Sequence, residues 1–167
     1  MTTVTQENLL ATVQRLADEE AIRRVLFDYA NYLDLNETAS LVKLFTEDCH
    51  IAYGPEHGAD GIDAYRQTLE DEKFGVGAFF AATSHHVSNT VIDFTDDDTA
   101  NVRSALYAWH KYNRERPEGV VMGQYHDILV RTDDGWKIKR RELKHLGTES
   151  YHAKGDALNP VPRRNAV

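Results

Sequence analysis

Apolar residues recur at three- and four-residue spacings through "LADEEAIRRVLFDYANYLD", residues 16–34, where Ile22, Val25, Leu26, Tyr29 and Leu33 make one stripe. That period predicts a long amphipathic helix. Asp18 is the expected N-cap, with Glu19 and Glu20 in the first turn, where the helix dipole favours negative charge. Asn36 is expected to cap a second, short helix in "ETASLVKLF", with Leu41, Leu44 and Phe45 turned inward. "CHIAYG" reads as a short strand ended by Gly54 and Pro55, "PEHGADG" as a turn, and Ile62 to Leu69 as a third helix. "KFGVGAFFAAT" has no clear period and reads as a loop.

The pattern changes at residue 84. His85 to Phe94 reads as a strand, and three long strands follow, "NVRSALYAWHKY", "VVMGQYHDILVR" and "WKIKRRELKHL". Acidic or glycine-containing turns join them, as expected of an antiparallel meander. Helices first and a meander afterwards predict an α+β domain over residues 1–147, its helices laid on one face of a curved sheet. A pocket is expected where the helices leave the concave face uncovered. Residues 148–167, ending in the proline-containing "GDALNPVPRRNAV", read as an extended tail. Tyr151 and His152, just before it, are placed to close the pocket mouth of their own or of a neighbouring subunit.

Composition narrows the function classes. The net charge is -8 over 167 residues, which argues against a nucleic-acid backbone as partner. Apolar runs are too short for a membrane span, and "MTTVTQENLL" lacks the pattern of a signal peptide. The single cysteine, Cys49, cannot form an internal disulfide and reads as a small apolar residue near a strand start. Both features fit a cytoplasmic protein. Eight histidines raise the question of a metal, but none falls at a ligand-type spacing, and neighbours such as His85 and His86 face opposite ways on a strand. No metal or other cofactor is expected. Neither a phosphate-cradling glycine loop nor a Gly-x-Ser-x-Gly elbow is present.

Two placements run against local preference. The motif "SHHVSN" spends imidazoles at the head of a β-forming segment, and Asp34 sits at a helix C-terminus, where the dipole disfavours a carboxylate by ~0.3–1 kcal/mol. A carboxylate beside a histidine is a chemically useful unit. It orients the ring, fixes the tautomer and stabilises the imidazolium formed on proton uptake. Strand parity puts His85, Val87, Asn89 and Val91 in one row and His86, Ser88, Thr90 and Ile92 in the other. On the last strand Arg141, Leu143 and His145 share a face, opposite Trp136, Ile138 and Arg140, and with Tyr125 they make a consistent pocket wall. Parity alone leaves open which row is concave.

"AIRRVLFDYANYLD", "SHHVSN", "YHDILVRTDDGWKI" and the arginine after it, in this order, resemble the SnoaL-like branch of the nuclear-transport-factor-2-like cone-shaped α+β barrels. The resemblance covers most of residues 15–147. That branch includes polyketide cyclases, scytalone dehydratase, bile-acid 7α-dehydratase and hexachlorocyclohexane dehydrochlorinase. It implies that Asp34 and His85 form the acid–imidazole pair, with Asn89 further along the strand. Tyr29 and Tyr53 match pocket tyrosines, and Arg141 matches an arginine near the pair. Where Tyr29 stands the dehydrochlorinase has lysine, which favours loss of water or a proton shift over halide elimination. The function so implied is a cofactor-independent lyase or isomerase acting on a small hydrophobic cyclic molecule. The alternatives are an aldol-type cyclase, or a non-catalytic ligand carrier or dioxygenase β-subunit-like scaffold. A homo-oligomer, dimer or trimer, is implied as well.

Overall fold

The computed structural model of the protein describes residues 5–55, 57–153 and 158–159. Helix α1 runs from Leu9 to Asp34, and its buried residues Asp18, Ile22, Val25, Leu26, Tyr29 and Ala30 follow the predicted stripe. The helix begins nine residues before Asp18, so Asp18 is no cap. It lies inside the buried stripe and accepts hydrogen bonds from both terminal nitrogens of Arg131 (2.9 and 2.8 Å) and from the Trp136 indole (3.1 Å). The Arg131 hydrogen bond chiefly holds its carboxyl down at about 2. Asn36 likewise does not open the second helix. At φ +55° it closes the first: its N–H reaches Leu33 O (3.1 Å), and Glu37 N–H reaches Tyr32 O (2.8 Å). This is the Schellman arrangement, and asparagine is among the few residues that tolerate left-handed backbone.

A single turn, α2 (Thr38–Leu41), and a 3-10 turn (Val42–Leu44) lead into β1 (Phe45–Gly54). Leu41 and Phe45 are buried as expected, and Leu44 is partly so. "PEHGADG" is not merely a turn: His57–Asp60 forms β2, antiparallel to β1. Helix α3 (Ile62–Glu70) buries Tyr65 and Leu69. The segment read as a loop contains a short helix, α4 (Val76–Phe79), and the first residues of β3 (Phe80–Phe94). β4 (Thr99–Tyr112), β5 (Gly119–Thr132) and β6 (Gly135–Glu149) complete the meander. Gly135, at φ +100°, makes the tight β5–β6 turn that a side chain would strain.

The six strands lie in the order β2-β1-β6-β5-β4-β3, antiparallel throughout except for the β1–β6 pair. The curved sheet stays open, with β2 and β3 as its edges, and the helices pack against it. No helix among the described residues is long and apolar enough to cross a membrane. Cys49 is buried, and burial pushes its thiol up to about 11, which makes it a poor nucleophile.

Two bulges overturn the parity rows. Register shifts between Ser88 and Val91, where Asn89 takes φ +50°. Val87 packs on the core, but past the bulge Ile92 and Phe94 do so, and Val91 is exposed. On β6 the register shifts opposite Ile128 and Leu129, leaving Lys139 unpaired. Trp136 and Ile138 are therefore buried together with Arg141 and Leu143, rather than opposite them. An extra residue in one strand reverses every side chain beyond it.

Of the tail, residues 154–157 and 160–167 lie outside the described residues. Leu158 is buried in the core, and Asn159 O accepts a hydrogen bond from the His145 backbone N–H.

Candidate active site

A cavity of about 780 Å³ lies between the helices and the concave face, lined mostly by aromatic and aliphatic side chains. Tyr29 and Leu33 reach it from α1, Tyr65 and Leu69 from α3, and His85, His110, Val121, Tyr125 and Leu143 from the sheet. Such a volume suits a single organic ligand.

At one wall Asp34 and His85 meet. Asp34 ends α1 where β3 begins to cross it, and its carboxylate takes three hydrogen bonds: from His85 Nδ1 (2.6 Å), the His85 backbone N–H (2.8 Å) and the Thr83 hydroxyl (2.7 Å). Burial raises the carboxyl, but the His85 ring, the His85 N–H and Thr83 outweigh it, so Asp34 is held below the usual carboxylate range. A carboxylate only accepts, so the His85 proton sits on Nδ1. That leaves the Nε2 lone pair of a ring that lines the cavity. The His85 side chain is 7% exposed and that of Asp34 23%, which shields the pair from bulk solvent.

Beside His85 stands His110, ring centroids 5.4 Å apart and nearly perpendicular. Burial and then the neighbouring His85 drive its imidazole down to about 4, so it is neutral at physiological pH. Its buried Nδ1 has no partner among the described residues. His110 was not anticipated as a site residue. Its signal is the β4 alternation, which buries Leu106, Ala108, His110 and Tyr112 on one side.

A second group of polar atoms is built from phenols. Tyr29, Tyr53 and Tyr65 bring their hydroxyls together, Tyr53–Tyr65 at 2.9 Å, Tyr29–Tyr53 at 3.0 Å and Tyr29–Tyr65 at 3.4 Å. Burial raises the Tyr53, Tyr65 and Tyr125 phenols well above their ordinary range. Tyr65 too was missed from the sequence, where it is only one member of an i, i+4 apolar pair with Leu69.

The remaining expected site residues divide. Tyr125 and Leu143 line the cavity. Arg141 is fully buried behind it and neither lines it nor touches Asp34. Its guanidinium is forked onto Asp127 (Nε–Oδ1 2.9 Å, Nη2–Oδ2 2.7 Å) and lies 3.9 Å from the Tyr29 ring centre and 4.2 Å from that of Tyr125. Asn89, at the β3 bulge, is exposed and away from the cavity, because the bulge turns that strand segment outward. His145 follows Leu143 on β6 but is not among the residues lining the cavity. Tyr151 and His152 do lie along it, packed against each other (4.2 Å), with His152 also against Phe79 (4.8 Å). Among the described residues no group of three or more His, Cys, Asp or Glu side chains converges as a metal would need.

Residues 14–142 match the SnoaL-like domain. The chain belongs to the SnoaL-like family. A crystal structure of a candidate scytalone dehydratase from Novosphingobium aromaticivorans is 47% identical and superposes with a TM-score of 0.86, covering 92% of this chain and 99% of that one. The hexachlorocyclohexane dehydrochlorinase LinA-type3 of Novosphingobium barchaimii shares the fold at 15% identity, with a TM-score of 0.75 over 91% of this chain and 99% of its own. An uncharacterized protein of Mycobacterium tuberculosis is 29% identical over 133 residues, 79% of this chain and 88% of that protein. The SnoaL-like family and its structural neighbours thus include proteins named for dehydration and for elimination.

Proposed function

We propose that this SnoaL-like protein is a lyase of dehydratase type, or an isomerase, that moves a proton on a hydrophobic cyclic substrate without a cofactor. The observation that carries the reading is the Asp34–His85 pair, bonded at 2.6 Å and opening into an aromatic cavity that also contains phenol donors. His85 Nε2 takes the proton from a carbon next to a carbonyl, and Asp34 stabilises the imidazolium as it forms. The C–H electron pair becomes a C=C bond as the carbonyl oxygen gains negative charge, which Tyr29 or Tyr53 meets with a hydrogen bond. In a dehydration the enolate electrons then expel a β-hydroxyl, which leaves as water with the proton returned by His85. In an isomerisation that proton goes back to a different carbon. Electrons stay within the substrate throughout, so no redox partner enters. A placed acid–base group contributes ~100–10,000-fold and a preorganised oxyanion donor ~100–1,000-fold.

Arg141 has a supporting part in this reading: it faces the Tyr29 and Tyr125 rings and positions them, while Asp127 balances its charge. The similarity at 47% identity to a candidate scytalone dehydratase supports dehydration over a purely binding role. The test is deuterium exchange into a panel of cyclic ketones by wild type, His85→Ala and Asp34→Asn. Exchange slowed at least ~100-fold by His85→Ala is expected. Equal exchange by all three proteins would remove the pair from the mechanism.

Self-association belongs to the same reading. Tyr107 and Met122 pair across β4 and β5 on the face away from the cavity and stay 48% and 39% exposed. Light scattering checks it, and a monomer mass would rule it out.

A further inference from the structure

Helix α1 carries two apolar faces, and the sheet uses only one of them. The face on the core holds Ile22, Val25, Leu26 and Tyr29. At about 100° of turn per residue, Leu9, Val13, Leu16, Glu20, Arg24 and Phe27 fall in a second stripe on the opposite side. Leu35, the C-cap in right-handed helical conformation, continues it. Along this stripe and its border Leu9, Leu10, Val13, Leu16, Phe27 and Leu35 are all between 43% and 85% exposed. No residue from Leu9 to Ala17 is buried, so those turns hold apolar side chains in solvent. A helix apolar on both sides is ordinarily covered on both.

The order of residues along the stripe says what covers it. Leu9 to Leu16 make one end apolar, Phe27 and Leu35 the other, and one acid and one base, Glu20 and Arg24, lie between. That order is complementary to its own reverse. When the helix is laid antiparallel on a second copy, with the two-fold axis level with Ile22, Glu20 faces Arg24 of the second copy. Leu16 and Ala17 then face Phe27, and Leu9 faces Leu35. Each contact occurs twice by symmetry. A parallel pairing sets Glu20 on Glu20 and Arg24 on Arg24, so charge selects the antiparallel one. Arg24 donates its Nε–H to Asp28 (2.9 Å), but its side chain is 72% exposed and its terminal nitrogens keep donors to give. A lipid surface would leave this order of charges without a role.

We propose that the outer face of α1 is an interaction surface for a second copy of this chain, forming an antiparallel two-fold helix pair closed by reciprocal Glu20–Arg24 contacts. The contact is separate from the Tyr107–Met122 face and depends neither on association there nor on the proton-transfer reading. It brings the first turn of each copy to the end of the other copy's α1, where Asp34 sits.

The experiment is sedimentation equilibrium in a Met122→Glu background, which silences the sheet face and lets this contact be read alone. The expected species is a dimer. Leu16→Glu should make it a monomer with an unchanged circular dichroism spectrum, because the residue 16 side chain is exposed. Glu20→Lys should raise the dissociation constant about tenfold or more, since the like-charge contact with Arg24 occurs twice. Glu20→Lys combined with Arg24→Glu should return it to within about threefold of the background protein, a rescue that general loss of stability would not give. A monomer in the Met122→Glu background would overturn the proposal. So would a dimer that survives Leu16→Glu, or a charge swap that restores nothing. Flotation of a monomer with phosphatidylcholine vesicles would assign the stripe to a lipid surface instead.

Discussion

At the scale of the residue, environment decides what identical side chains do. His85 and His110 are neighbours in one cavity wall, yet only His85 has a carboxylate on Nδ1. Asp34→Asn should keep the shape of that pair but remove the charge that stabilises an imidazolium, lowering exchange activity ~100-fold with little change in substrate affinity; kcat and KM on a responsive ketone check this. His110 makes a pH prediction. Its folded-state value of about 4 lies below the ordinary 6.5, so the unfolded chain binds the extra proton first. Its contribution to stability is intact above pH 6.5 and is lost as pH falls towards 4, by roughly 3 kcal/mol. Across that window wild type should lose stability relative to His110→Gln, which has no such group to protonate, and denaturant melts at pH 7 and near pH 4 check this. Asp34 and His85 stood out in the sequence because each breaks a local preference. His110 did not, because a histidine on the buried side of an alternating strand looks like any core position until its neighbours are known.

Elements show where periodicity suffices and where it stops. The α1 stripe, the helix at Ile62 and the four meander strands follow from spacing, since one face of each must leave water. The start of α1 and the task of Asn36 did not follow, because Asp18 and Asn36 are equally good at capping and at other tasks. Asp18 instead joins α1 to Arg131 on β5 and Trp136 on β6. Arg131→Met leaves that carboxylate buried without its main partner and should cost roughly 2 kcal/mol in chemical denaturation, with Arg131 itself partly exposed. Asn36→Gly should be nearly neutral, whereas Asn36→Val should lower stability by about 1 kcal/mol or more, because φ +55° is open to glycine and closed to a β-branched residue. The bulges at Asn89 and Lys139 are the strongest element-level effect. Each adds one extra residue to its strand, and the sequence marks neither with glycine or proline.

For the whole molecule, the inner layer is organised around a buried ion pair. Arg141 on β6 and Asp127 on β5 lie beneath two tyrosine rings, and α1 contributes one of them. Removing one partner strands the other, so Arg141→Met should cost ~3–5 kcal/mol, while Arg141→Met with Asp127→Leu should recover much of the loss. Thermal melts of the single and double variants check this. If the double variant is no better than the single, the pair is not the source of the effect. The resemblance in the sequence had put this arginine near the His–Asp pair, a placement that depends on β6 register and therefore on the Lys139 bulge.

By itself the sequence determined the order of elements, the α+β class, the long helix with a carboxylate at its end and an imidazole at the head of the meander. These are local: they need only helical and strand periods, turn residues and the cost of a misplaced charge. The tertiary structure decided which face of each strand is concave, that Tyr65 joins Tyr29 and Tyr53, that His110 stands beside His85 and that Arg141 answers to Asp127. Those facts arise where segments distant in the chain meet, and a one-residue bulge, worth almost nothing in composition, inverts the side of the sheet on which a side chain falls.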